Sequence, residues 1–333
     1  MSLNGKVCNI IKILFYNASI VILLIVLLGN NSSLKAQQLP IYSLNMQNPY
    51  ILSPALAGME DFMDLKVAAR RQWMGVAGGP ETFYMSLNTL VSKDSIIEMF
   101  RHGVGGFLWV DKAGAAMQMN ASGSYAYHKN LTEKDILALG ASVGLSYYRL
   151  NTEILHSLQP DEVLQHLGSS LAMDIALGGI IYSKSYYIGL SLKQLLPSSL
   201  YKMTGEMHDK NGDVVLMKGK RTMHAYLSLG YRQDLDFFEA APSLLIRATP
   251  TQPLSIDYNL KLLFEEKFWV GASYRSNNSL IAMAGIYFNS FLNFAYAYDF
   301  NFFDLNHFGS GAHEFVLGFQ ISKDRIECPK FVW

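Results

Sequence analysis

The last quarter of the chain, from Lys267 to Ser322, constrains the fold more than any other stretch. Strand-length segments follow one another there with almost no linker. In 268–275, Phe268, Val270, Ala272 and Tyr274 share one parity, and Gly271, Ser273 and Arg275 the other. In 291–300, Leu292, Phe294, Tyr296, Tyr298 and Phe300 oppose Asn293, Ala295, Ala297 and Asp299. In 313–322, Phe315, Leu317, Phe319 and Ile321 oppose Glu314, Gly318, Gln320 and Ser322. Side chains alternate sides along a strand, so each segment has one apolar wall and one polar or small wall. A water-facing sheet normally carries many charges on its polar side. Here that side is Gly, Ala, Ser and Asn, and the other is crowded with aromatic rings. This pattern fits strands with hydrocarbon on one side and a packed or wet lumen on the other.

The wider chain agrees. Half of its 333 residues are apolar and 16% are charged, against about 25% charged in ordinary soluble proteins. Residues 1–36 read as a secretory signal. Lys6 and Lys12 give a basic start, 18–28 are apolar, and a short polar stretch ends at Ala36. Its removal takes three lysines and no acid, leaving 24 Lys and Arg against 27 Asp and Glu, a net charge of −3. No basic field remains to hold phosphates, so nucleic acid is not an expected partner. Cys8 leaves with the signal and Cys328 stays alone, which excludes an intramolecular disulfide. Beyond the signal no run of about 18 apolar residues occurs, so a spanning helix is not expected.

Residues 37–61 are broken by Pro40, Pro49 and Pro54 and read as an ordered extended segment ahead of the barrel, facing the periplasm. From Phe62, fourteen strands are placed, with twelve or sixteen as alternatives because the third, fourth and twelfth alternate poorly. The expected fold is an all-β, antiparallel up-and-down transmembrane barrel over 62–322 with a tail at 323–333. If the first strand runs outward, the long connections 150–170, 194–221 and 301–311 share the outer side, and Lys184, Glu265-Glu266 and Asn289-Ser290 the periplasmic side.

Motifs for chemistry are weak. His156 and His166 lack metal-ligand spacing and read as a solvated loop. Asp209-Lys210-Asn211-Gly212-Asp213 begins like a calcium loop, but glycine comes at the fourth position and Lys220 at the twelfth, so a hairpin turn fits better. Gly103-Val104-Gly105-Gly106 lacks the features of a phosphate loop; small residues where the wall packs on a plug or bends explain it. His313 and Glu314 are neighbours and point to opposite faces. His224 and Ser228 share a face but lie too far apart for a direct hydrogen bond. No catalytic, cofactor or metal site is expected. Arg71 and Trp73 end the first strand on its apolar parity, as an interfacial Trp and a snorkelling Arg do, with a partner contact as the alternative. The lumen-facing residues read as largely small or uncharged.

A set of short motifs runs through this chain in order: Asn48-Pro49, Ser53-Pro54-Ala55-Leu56-Ala57-Gly58, Arg71-Gln72-Trp73-Met74-Gly75 and Gly79-Pro80-Glu81-Thr82. Downstream come Tyr187-Ile188-Gly189, Trp269-Val270-Gly271, Tyr296-Ala297-Tyr298-Asp299, Ala312-His313-Glu314 and Cys328-Pro329. Together they resemble the PorP/SprF family of the type IX secretion system of Bacteroidota, over about 37–333. Ser53 stands where that family usually has Asn, and Ala312 where Ser is common. The resemblance implies a non-enzymatic outer-membrane component that supports secretion, docking or anchoring of surface proteins such as gliding adhesins. It also implies contact with other secretion components and with a periplasmic lipoprotein that reaches peptidoglycan. Asn48, Pro49, Pro54, Ala55, Ala57, Gly58, Arg71, Gln72, Trp73, Gly75, His313, Glu314, Cys328 and Pro329 are then the motif and partner residues. The competing reading is an outer-membrane channel for small, apolar molecules.

Overall fold

The computed structural model describes residues 39–93, 100–151, 169–198, 221–276, 279–301 and 310–321. Fifteen strand segments are β1 (Met63–Met74), β2 (Glu81–Lys93), β3 (Phe100–Ala113), β4 (Ala116–Asn130), β5 (Ile136–Leu150), β6 (Ser170–Tyr182), β7 (Tyr186–Lys193), β8 (His224–Tyr231), β9 (Gln233–Leu235), β10 (Phe238–Thr249), β11 (Gln252–Phe264), β12 (Phe268–Arg275), β13 (Ser279–Tyr287), β14 (Leu292–Asn301) and β15 (Ser310–Ile321). Apart from β8 and β9, which both pair with β10, consecutive strands pair antiparallel, and β15 pairs with β1, which closes the sheet. β8 and β9 meet β10 in one continuous register, Gly230 opposite Ser243 and Leu235 opposite Phe238, so they form a single stave. The barrel therefore has fourteen staves, as the periodicity implies. Closure gives every stave a hydrogen-bonded neighbour on each side, the condition for strands to cross hydrocarbon.

The alternation resolves into outside and inside. Phe268, Val270 and Tyr274 are exposed while Trp269, Ser273 and Arg275 are buried; Phe315 and Leu317 are exposed while Glu314 and Val316 are buried. β13, which alternates poorly as sequence, alternates cleanly as structure: Leu280 and Ile286 point out, and Ile281 and Met283 point in. Both its faces are apolar because its inner face is packed, which hides the period.

Antiparallel order puts the ends of β1, β3, β5, β7, β10, β12 and β14, and the starts of the strands that follow them, on one rim, named the long-loop rim because the longest stretches of sequence between strands join these ends. The opposite rim holds the start of β1 and the end of β15, and is called the termini rim.

Residues 39–62 correct one expectation. The segment is ordered, but it fills the lumen instead of facing the periplasm. Leu39 and Pro40 lie beside Thr249 and Gln252 at the long-loop rim. Glu60 and Phe62 lie beside Gln320 and Asp64 at the termini rim. The chain thus threads the barrel before turning back as β1. It coils through two short 3-10 turns, Pro49–Ile51 and Pro54–Leu56, each opened by a proline whose missing N–H a first turn does not need. Ser53 caps the second, its Oγ accepting from the Ala55 amide at 3.3 Å. Tyr42, Leu44, Ile51, Ala55 and Ala57 of this plug join wall residues Tyr84, Phe107, Ile180 and Trp269 in one core.

Candidate functional site: the plug and its lumenal anchors

Two kinds of contact hold the plug. The first is small against small. Gly58 takes φ +68°, a conformation that favours glycine, and its Cα packs on Gly103 of β3. A Cβ on Gly103 would run into the Ala57 carbonyl. A Cβ on Gly140 of β5 would run into Ala55. The glycines of the wall are therefore seats for the Ala55-Leu56-Ala57-Gly58 stretch. The second kind is polar. Asn48 Nδ2 donates to Ser86 Oγ at 2.8 Å, and the Gly58 amide to Asn88 Oδ1 at 3.2 Å. Gln47 Nε2 donates to Asn293 Oδ1 at 3.1 Å. His128 Nε2 donates to the Ala57 carbonyl at 2.8 Å.

An ionic cluster fastens the head of the plug. Glu314, fully buried, accepts from the Ser43 amide at 2.7 Å and the Leu44 amide at 3.4 Å. It also accepts from Tyr84 Oη at 3.0 Å and from Arg70 at 3.2 Å. Arg70 donates as well to Asp299 at 2.7 Å and to Ser43 Oγ. The series continues as Asp299–Arg275 at 3.8 Å, Arg275–Asp257 at 3.0 Å, and Asp257–Arg247. Six charges of alternating sign thus cross six staves. Buried ions are stable only when paired and hydrogen-bonded, and this series meets that condition. It corrects the expectation of a largely small or uncharged lumen: the charges sit on the small-residue parity, paired either between adjacent staves, as in Arg70–Glu314, Arg275–Asp257 and Arg247–Asp257, or across one intervening stave, as in Arg70–Asp299 and Arg275–Asp299.

The motif residues divide into separate places. Asn48, Pro49, Pro54, Ala55, Ala57 and Gly58 lie in the lumen as plug. Arg71, Gln72, Trp73 and Gly75 make the end of β1 and its turn at the long-loop rim. Arg71 is exposed and pairs with Glu81 at 3.3 Å; the Gln72 amide donates to the Pro80 carbonyl; Trp73 and Gly75 take positive φ. His313 and Glu314 project oppositely, as their adjacency requires. Outward-facing His313 meets Tyr296 Oη at 2.8 Å. Cys328, Pro329, the tail 323–333, the signal, His156, His166 and 209–213 lie outside the described residues. Sequence reasoning singled out Arg71 and missed Arg70, the residue in the network. Its available signal was parity: Arg70 shares a face with Asp64, Lys66 and Ala68. Among the described residues, no group of three or more His, Cys, Asp or Glu is placed to hold a metal.

A closed fourteen-stave barrel with an aromatic, lipid-facing exterior and a plug from its own N-terminal side is an outer-membrane β-barrel. Within that class, a profile for the type IX secretion system membrane protein PorP/SprF matches residues 34–319, and the chain belongs to that family. No curated protein matches it. Solved structures that resemble it include the CymD monoaromatic hydrocarbon channel, with 13% identity, a TM-score of 0.48, and coverage of 88% of this chain and 96% of that one. The Pseudomonas putida toluene transporter TodX gives 11%, 0.44, 88% and 96%. The translocator domain of the autotransporter NalP from Neisseria meningitidis gives 13%, 0.44, 78% and 88%.

Proposed function

We propose that this type IX secretion component holds or docks an exported protein at the cell surface and is neither an enzyme nor an open conduit. The observation that carries this reading is the filled lumen. Residues 42–51 and 53–59 are almost entirely buried between the walls and are tied to staves around much of the circumference. A barrel filled this way offers its rims, not its bore. Outer-membrane barrels have short periplasmic turns and longer outer loops, so the long-loop rim is assigned to the outside. Connections 150–170 and 194–221 then present the docking surface for a secreted surface protein such as a gliding adhesin. The termini rim and the tail 323–333 face the periplasm, where a peptidoglycan-associated lipoprotein would bind. Residues 1–36 serve as the export signal.

Deleting 150–170 or 194–221 tests the reading. The barrel is expected to fold and reach the outer membrane while display of the partner falls; normal display after both deletions overturns it. Purified protein in planar bilayers is expected to be electrically silent. A stable open pore would favour the channel reading.

A further inference from the structure

A cavity of about 320 Å³ lies between the head of the plug and β7, β8, β10 and β11 at the long-loop rim. Among the described residues, its lining includes Lys193, His224 and Arg247 and no acidic side chain. The rest is largely apolar, with Leu39, Ile51 and Leu245 among it. Lys193 and His224 are direct cross-strand partners in the β7–β8 ladder, so their side chains start about 5 Å apart on the same, inward face. Arg247 is committed to Asp257. Lys193 is not: among the described residues no carboxylate lies within ion-pair distance of it, its ammonium donates to the Ile51 carbonyl, and Tyr226 and Phe107 rings stand 5.5 and 5.9 Å away. His224 is buried, with Nε2 lacking a hydrogen-bond partner.

A half-buried cation with no carboxylate at ion-pair distance and a buried ring nitrogen without a partner both represent unmet electrostatic demand. The volume sits at the small end of ligand pockets. One uncommitted ammonium beside one imidazole, in an apolar surround, matches a single negative charge on an apolar body. A phosphate dianion would call for more donors than are present. We infer that this cavity binds a carboxylate carried on a short apolar group, with Lys193 as counter-ion and His224 as hydrogen-bond donor. Two sources present that chemistry: a free aliphatic acid, or the α-carboxylate end of a polypeptide. This site is independent of the docking role of the loops.

The test is calorimetric titration of the full-length protein in non-ionic detergent with hexanoate and, separately, hexanamide. A second pair is acetyl-Leu-Val-Ala with a free carboxylate and the same peptide as its amide. At least one acid is expected to bind saturably, at least tenfold tighter than its amide. Hexanoate alone assigns the site to aliphatic acids; the peptide acid alone assigns it to a chain end. Lys193→Met is expected to reduce acid binding to the level of the amide, with Lys193→Arg retaining it. If Lys193→Met does not fold, His224→Phe serves, with weaker acid binding expected. No saturable acid binding, equal binding of acid and amide, or undiminished acid binding by the folded Lys193→Met or His224→Phe protein would overturn the assignment.

Discussion

The plug meets two unlike walls. Along β13–β15, β1 and β2 it is fixed by directional contacts: Glu314 to two plug amides, Arg70 to Ser43, Gln47 to Asn293, and Asn48 to Ser86. Along β6, β7, β8 and β10 it is mainly apolar, with Met46, Leu52 and Leu56 facing Ile180, Ala241 and Leu245. Direct polar ties there include Lys193 to the Ile51 carbonyl and Ser243 to Met46 Sδ at 3.6 Å. The staves also differ. β7 and β8 have eight residues each and β6–β7 share six paired positions, whereas β4–β5 share fifteen. Hydrogen bonds and ion pairs define one geometry, while apolar contacts tolerate sliding. The plug is therefore pinned on one side and only packed on the other, and any movement it makes should hinge on the pinned side.

The largest expected effect comes from removing the central pin. Glu314→Ala leaves Arg70 short of an anion and two plug amides and Tyr84 without their acceptor. Breaking a buried pair by removing one partner costs roughly 3–5 kcal/mol. The head of the plug should become protease-sensitive, and a cysteine placed at Tyr42 should label rapidly while the barrel stays heat-modifiable on gels. Unchanged protection at Tyr42 would show that the two walls do not differ in the way described.

Next comes the seat in β3. Gly103→Val drives a branched side chain into the Ala57 carbonyl and the Gly58 Cα. Overpacking costs about 1–3 kcal/mol, and here the relief is to push the plug toward the packed-only wall. Conductance that appears in planar bilayers with Gly103→Val but not with Val104→Ala, on the outward face, would confirm that relief. Silence with full stability would mean the seat yields instead.

Asn48→Ala should do less. It removes one buried hydrogen bond, worth about 1 kcal/mol, and leaves the turn-opening Pro49 in place. A modest fall in thermal midpoint is expected, with normal folding. A fall as large as that of Glu314→Ala would transfer the main pin from the ionic cluster to the Asn48–Ser86 contact.

These residues also show what a sequence can disclose here. The fourteen staves were legible because hydrocarbon selects one parity outright: Phe268, Val270 and Tyr274 can only be read together. Gly103 and Gly105 were legible as close-approach positions, since no phosphate-loop context competes. The placement of 39–62 was not legible. Its prolines signal turns wherever the segment lies, and its seats are glycines 45 or more residues away, Gly103 against Gly58 and Gly140 against Ala55. Arg70 was hidden for a related reason: its partners Asp299 and Glu314 stand more than two hundred positions later, and only closure of β15 on β1 brings them together.

The smallest effect concerns the other end of the plug and depends on pH. Glu60, just before β1, has its Oε2 enclosed without a hydrogen-bond partner. Burial pushes its carboxyl well above the usual carboxylate range, and Asp64 adds to this, while Lys66 pulls back. The folded protein therefore holds this proton more tightly than the unfolded chain does. In the window between the ordinary carboxylate pKa and the raised one, stability falls as pH rises, and beyond it the loss is constant. Glu60→Gln has no proton to lose, so its thermal midpoint should change less with pH across that window and exceed the parent's at the alkaline end. Since the termini-rim end of the plug leads directly into β1, proteolysis near Met59 should follow the same pH profile, and cleavage near Tyr42, held by Glu314, should not. Parallel pH profiles at the two sites would mean that the plug moves as one rigid piece and that its pinned side runs its whole length.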